Sequence, residues 1–408
     1  MRKSAEIIIR ESIQKVLPDA AVKRALVGKV FPGKVVLVAA GKAAWQMAKA
    51  AHECLGDRIA RGIAITKYAH VKGSIGNIAC REAGHPVPDE NSFRATAEAV
   101  ELVSDLQPRD TVLFLLSGGG SALFELPLIS GEELQDITQQ LLASGADITE
   151  INIIRKRLSK VKGGRFAQLA EPAQVFAVVL SDIIGDPLDM IASGPAYPDS
   201  STCQQATTIA QKYSLKLSAQ AEALLQQETP KSLANTETVV TGSVRELCIE
   251  AENACRALGY EATILTDSLA CEAKDAGTWL AQIAAESVGC GNKLAFIAGG
   301  ETVVKLIGNG KGGRNQELAL SAAAGIDGME GVAIFSIGSD GTDGPTDAAG
   351  GYVDWQTAGK LREQNLHIAD ILANNDAFHA LKKTDGLIFT GPTGTNVNDV
   401  AVALLKEN

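Results

Sequence analysis

The sequence predicts an α/β protein of two domains, each with a largely parallel sheet flanked by helices. Short β-branched and aliphatic runs recur along the chain, and each ends in Gly, Ser, Thr or Asp. Most lead into a segment whose apolar residues repeat at helical spacing, the alternation expected of parallel strands covered on both faces. Forty glycines in 408 residues, above the average of about 7%, cluster just after these runs, where strand-to-helix turns need them.

The runs that read as strands are KVVLVAA (34 to 40), TVLFLLS (111 to 117), QVFAVVLS (174 to 181), TVVTG (238 to 242), KLAFIAG (293 to 299), GVAIFSIG (331 to 338) and GLIFTG (386 to 391). Residues 198 to 237 are polar, Gln-rich and mostly helical in pattern, then strandless, which sets a domain boundary near 235 and gives domains of 1–235 and 236–408. The opening MRKSAEIIIRESIQKVL reads as an amphipathic helix, because Arg10 and Glu11 interrupt its only apolar run.

A formal net charge of −10 excludes general affinity for nucleic acid or anionic membrane, so an anionic ligand must be held by a local basic cluster. No uncharged stretch approaches the roughly 18 to 20 residues of a membrane span. Seven cysteines with no C-x-x-C pair argue against a disulfide framework and a zinc site, and fit a reduced cytoplasm.

Chemistry concentrates in the turns. In VAAGKAAWQMAKAA, Lys42 stands where a strand ends and a helix begins, a place that favours anions and disfavours an uncompensated cation. LLSGGGSALFELP opens a strand into Ser117, Gly118, Gly119, Gly120 and Ser121, whose backbone can curl its N–H groups round a phosphate. It is neither a Walker loop nor a dinucleotide fingerprint. INIIRKRLSKVKGGRF carries six cations, Arg155, Lys156, Arg157, Lys160, Lys162 and Arg165; such runs are usually a solvated helix face, though some of these can meet a carboxylate or phosphate. SDIIGDPLDMIASGP places Asp182, Asp186 and Asp189 after a strand, either as oxygen ligands for Mg²⁺ or as turn and cap residues.

GGETVVKLIGNGKGGRNQELAL reads as a hairpin leading into a helix with Arg314 at its start, able to meet a transferring phosphoryl group bidentately. GSDGTDGPTDAAGG packs Asp340, Asp343 and Asp347 after a strand without EF-hand spacing. TGPTGTNVNDVAVALL reads as a strand joined to a helix, with Thr393, Thr395, Asn396 and Asn398 as candidate donors. His85, between Gly84 and Pro86, reads as structural, and no hydrolase constellation is present.

Taken in order, GKAAWQMA, GHPVPDENS, LLSGGGSAL, SDIIGDPLDMIASGP, GGETVVKLIGNGKGGRNQELAL, GSDGTDGPTDAAGGYVD and TGPTGTNVND resemble the class II glycerate kinases across residues 41 to 400. Residues 293 to 402 resemble the C-terminal MOFRL domain of that family. The resemblance implies an ATP- and Mg²⁺-dependent glycerate 2-kinase with its active site in the cleft between two domains. It implies D-glycerate as substrate and allows a homodimer. Lys42 and Arg314 match the active-site lysine and arginine of the family. Ser117 to Ser121, Asp182, Asp189, Asn315, Asp340, Thr393 and Asn396 are the expected substrate or nucleotide contacts, and Asp186 and Asp343 the expected metal ligands. Asp189 and Asp340 both stand as candidates for the hydroxyl proton. Ala196 and NNDAF (374 to 378) depart from the family pattern. The rival activity is an NAD(P)H-dependent hydroxypyruvate reductase, whose dinucleotide fingerprint is missing; a non-catalytic nucleotide- or sugar-acid-binding protein is the other alternative.

Overall fold

The computed structural model describes residues 1 to 406. The chain divides into two compact units. One comprises Pro18–Ser181 and Asp186–Thr241; the other comprises Met1–Leu17, Asp182–Gly185 and the chain from Gly242 onward. The opening helix, Arg2–Lys15, thus belongs with the C-terminal unit, where Ile8, Ile9 and Ile13 pack on the helix Val244–Ala257.

In the N-terminal unit, β1 (Val35–Ala40), β2 (Ile59–Lys67), β3 (Ile78–Ala83), β4 (Thr111–Leu116), β5 (Gln174–Leu180) and β6 (Thr236–Gly242) form one parallel sheet in the order β3-β2-β1-β4-β5-β6. The central strands β1 and β4 are buried along their whole length, as continuous aliphatic runs require when helices cover both faces. On one face Leu37, Met47, Ala51 and Val178 share a core cluster. Elsewhere Phe114 meets Phe124 and Phe166 at centroid distances of 5.4 and 4.9 Å. Strands β2 and β3 do not announce themselves in the sequence: IARGIAITK is broken by Arg61, and the edge strand IACREA carries the adjacent charges Arg81 and Glu82.

The C-terminal unit departs from the expected parallel sheet. Its strands are β7 (Glu261–Leu269), β8 (Leu294–Gly300), β9 (Val332–Gly338), β10 (Gly350–Asp354), β11 (Leu387–Ile388) and β12 (Asp399–Leu405), in the order β11-β10-β9-β12-β8-β7. Only β7 and β8 pair in parallel; β12 runs antiparallel to both β8 and β9, and β10 to β9 and β11. DVAVALL, expected as a helix, is therefore the strand β12. All seven of its residues are buried between two neighbours, and a short buried run carries no periodicity that separates helix from strand.

The expected hairpin after Gly300 is also absent. Residues 301 to 313 form a loop with Leu306 81% and Ile307 68% exposed. Asn375 Oδ1 pins it by accepting from the Ile307 and Gly308 amides. Among the described residues, no helix is long and apolar enough to cross a membrane.

Candidate active site

The N-terminal sheet reverses direction of winding between β1 and β4, and in open α/β sheets the crevice beyond the strand ends at that point is where ligands sit. Ala40 is in register with Leu116, so Gly41-Lys42 and the Ser117 to Ser121 turn emerge side by side. The two turns are stitched together: the Lys42 amide donates to the Gly118 carbonyl at 2.9 Å and the Ala43 amide to Ser117 Oγ at 3.1 Å. Gly41 is needed for this approach. Its φ is +124°, and a Cβ there would stand 2.2 Å from Ser117 Oγ.

Lys42 is half-buried just before the helix Ala44–Leu55, where the helix dipole disfavours an unaccompanied cation. Its ammonium makes no hydrogen bond or ion pair with any described residue, and neither the Gly118 nor the Gly119 amide meets an acceptor. The Ser117 and Ser121 hydroxyls both meet protein groups. Ser117 Oγ accepts the Ala43 amide, and Ser121 Oγ sits 3.1 Å from Ser193 Oγ, which donates to Asn152 Oδ1 at 2.8 Å.

His85, set aside by the sequence reading, lies beside Gly119. A Cβ on Gly119 would meet the His85 ring at 2.9 Å and Lys42 Cγ at 3.2 Å. Burial, with help from the nearby Lys42 and Lys67 charges, pushes the imidazole below its ordinary range and so favours its neutral form. Gly119→Val should therefore fold with a penalty of about 1–2 kcal/mol, because φ is +84°, and lose affinity for ATP or D-glycerate by a larger factor. Melting curves beside ligand titration check this, and normal affinity would remove the turn from the site.

The cationic run is not a solvated face. Lys156, Arg157 and Lys162 are fully buried, Arg155 and Arg165 partly so, and only Lys160 is exposed. Lys156 Nζ donates to Asp199 Oδ1 at 3.0 Å and to Asp189 Oδ2 at 3.3 Å. Arg157 reaches Ser201 and stands 3.8 Å from Asp199. Arg165 donates to the carbonyls of Lys156, Arg157 and Ser159, closing the end of the helix Ile148–Leu158. The partners Glu125 and Asp199, both buried, went unnoticed in the sequence because each is a lone acid far from the run.

Of the aspartates after β5, Asp189 is tied to Lys156 and to Ser200 Oγ at 2.7 Å. Asp186 has φ +49°, and its Oδ1 is buried with no partner among the described residues. Asp182 follows β5 directly and groups with the C-terminal unit. Further along the same segment, Ala192, Ser193 and Gly194 take consecutive left-handed conformations. A Cβ on Gly120 would meet Ala192 Cβ at 2.7 Å, so this strained segment packs against the glycine-rich turn.

In the C-terminal unit Arg314 opens the helix Arg314–Gly325. Its Nε and Nη2 donate to the two Asp399 oxygens at 2.5 and 3.1 Å, and Nη1 lies 3.2 Å from Glu301. Burial pushes the Asp399 carboxyl up to about 6, against the pull of the Arg314 fork, so it is ionised at neutral pH. Burial also works against the guanidinium charge, but Asp399 and Glu301 outweigh it and push the arginine further up.

Asp343 does not fit the expected metal ligand. It is buried, and its oxygens accept from the Asn315 and Gln316 amides and from both of their side chains, at 2.9 to 3.4 Å. It serves the unpaired first-turn amides of the Arg314 helix instead. Asn315 is consumed by Asp343 and Ser336 Oγ. Asp340 accepts from Thr342, while Thr393 donates to the Ser339 carbonyl and Asn396 is exposed. Among the described residues no three acids, histidines or cysteines gather as a metal cluster. Mg²⁺ takes only one or two carboxylates beside water and phosphate, which the unpartnered Asp186 oxygen suits.

Strand order, crevice, unpaired amides and an uncompensated lysine together have the makings of an anion site in an α/β protein. Residues 4–226 match the family described as Domain of unknown function (DUF4147), and residues 294–399 match the MOFRL family. The chain is 53% identical to a D-glycerate 2-kinase of Thermotoga maritima, over 99% of this chain and 98% of that one. It is 41% identical to a glycerate 2-kinase of Pyrococcus horikoshii, over 93% and 89% of the two chains. A crystal structure of a glycerate kinase from Thermotoga maritima superposes with a TM-score of 0.94 at 52% identity, covering 99% of each chain. The chain belongs to the glycerate 2-kinase family, with a MOFRL domain toward its C-terminal end.

Proposed function

We propose that the chain is a cytoplasmic, ATP-dependent glycerate 2-kinase, transferring the γ-phosphoryl group of ATP to the 2-hydroxyl of D-glycerate to give 2-phosphoglycerate and ADP. The observation that carries this reading is the near full-length identity to a D-glycerate 2-kinase. The geometry supports it through the Lys42 ammonium and the Gly118 and Gly119 amides, which stand together without partners.

Phosphoryl transfer asks mainly for alignment and for positive charge along the transferring oxygens. Lys42 and the turn amides hold an anionic group, and Arg314, oriented by Asp399, stabilises the charge that spreads over the phosphoryl oxygens. The 2-hydroxyl oxygen attacks the γ-phosphorus, the bond to the β-phosphate oxygen breaks, and the hydroxyl proton passes to a carboxylate, Asp189 or Asp340. The Asp186 carboxylate is the residue suited to holding Mg²⁺, which would neutralise phosphate charge when bound.

The strand order is also that of dinucleotide-binding sheets. The turn after β1 reads GKAAWQ, however, without the glycines that let a backbone approach a pyrophosphate there. ADP release with ATP, Mg²⁺ and D-glycerate, run beside NADH oxidation with hydroxypyruvate, tests the reading. The first reaction should proceed and the second should not; the reverse outcome overturns it.

A further inference from the structure

Ser121 closes the glycine-rich turn, and its carbonyl oxygen is an unusual acceptor. Lys162 Nζ donates to it at 2.9 Å and Arg155 Nη2 at 2.8 Å. Lys162 Nζ also donates to the Phe124 carbonyl at 2.9 Å, and both cations lie 3.3 Å from the same Glu125 carboxylate oxygen. Lys162 and Glu125 are wholly buried. One cation is enough to neutralise Glu125, and an apolar side chain would serve folding at lower desolvation cost than a second buried charge. The Lys162 ammonium spends two of its three hydrogen bonds on backbone carbonyls at the end of the turn whose Gly118 and Gly119 amides stay unpaired.

We propose that Lys162, seconded by Arg155, is a positioning residue for the Ser117 to Ser121 turn: it grips the Ser121 and Phe124 carbonyls so that the turn keeps its anion-binding shape. Lys162 touches no substrate, and its effect passes through the backbone. The inference rests on the reading of this turn as the binder of a phosphate or carboxylate.

The charged groups facing the Lys162 ammonium are Glu125 and Arg155. Burial lowers its pKa to about 8; Glu125 opposes the shift and Arg155 adds to it. As pH rises through that value the ammonium becomes an amine with two N–H donors for its three acceptors, and the grip on the turn weakens. The kcat/KM profile for D-glycerate should thus fall on the alkaline side.

Rates of ADP formation from roughly pH 6 to pH 9.5, a window wide enough to define the limb, are compared for wild type, Glu125→Gln and Lys162→Met, with melting curves at each pH. Wild type should lose kcat/KM above about pH 8. Glu125→Gln removes the charge that favours the ammonium, so its limb should move to lower pH. Lys162→Met should lower kcat/KM by roughly tenfold to a hundredfold, the scale of a small misplacement, and show no such limb. A wild-type profile without the limb, a limb unmoved by Glu125→Gln, or one retained in Lys162→Met overturns the proposal. Should one variant fail to fold, the other decides. If wild type forms no ADP, the kinase reading fails separately. ATP and D-glycerate titrations over the same pH range then judge the positioning role by whether affinity carries the limb and its Glu125→Gln shift.

Discussion

Lys42→Ala is expected to lower kcat by on the order of 10²-fold or more, with a melting midpoint close to wild type. A charged donor aimed at a developing oxyanion contributes roughly 2.7 to 4 kcal/mol in the transition state. The Lys42 ammonium has no protein partner to leave stranded, so folding loses about 0.5 kcal/mol or less. Arg314→Ala is expected to match the loss in kcat but to melt earlier. Removing the fork strands the buried Asp399 carboxyl, a penalty of about 1–3 kcal/mol. The ion pair with Asp399 is what couples the catalytic loss of this variant to a loss of stability. If both residues act on one phosphoryl group, the double variant should lose less than the product of the single losses. Single variants retaining more than about half of wild-type kcat/KM, against the 10² expected, would exclude the shared role.

The largest effect on stability is expected at Asp199→Ala. Asp199 accepts from Lys156 at 3.0 Å, Thr229 Oγ1 at 2.7 Å and the Ser201 amide at 3.0 Å, with Arg157 close by. Its removal leaves two buried cations short of a counter-charge, a loss of about 3–5 kcal/mol, read as an earlier unfolding midpoint in urea. Burial works against the Asp199 charge, but the Thr229 hydroxyl, Lys156 and the Ser201 amide hold its carboxyl below the usual range. A lowered folded-state pKa gives stability that is present above the unfolded value and lost as pH falls through the folded one. The gap between wild type and Asp199→Asn should therefore be full at pH 7 and narrow below about pH 3.8. A gap that is constant with pH would contradict the ionic account.

Much of the N-terminal half was legible because its chemistry is local. The strands β1, β4 and β5 are apolar runs broken at most at their first residue, and Lys42 sits at the strand-to-helix turn its neighbours predict. What escaped the sequence depends on pairing across distance. DVAVALL is a strand because β8 and β9 flank it, a fact no local pattern contains. The cations of residues 155 to 165 looked like a wet face until Glu125 and Asp199 supplied their partners from 30 to 43 positions away. Asp343 and Asp186 show the same limit within one residue type. Both are aspartates in glycine-rich turns, yet one is saturated by four N–H donors and the other keeps a buried oxygen without a partner. Asp399, the residue that orients Arg314, stood at the edge of a recognised motif and gave no signal of its role until β12 placed it there.

The central claim is tested most directly by phosphorus NMR of the product formed from ATP, Mg²⁺ and D-glycerate. The account predicts that the phosphoryl group appears on the 2-hydroxyl, as 2-phosphoglycerate, with ADP in equal amount. Exclusive 3-phosphoglycerate, or no phosphorylated product from a folded and ATP-supplied protein, would contradict it.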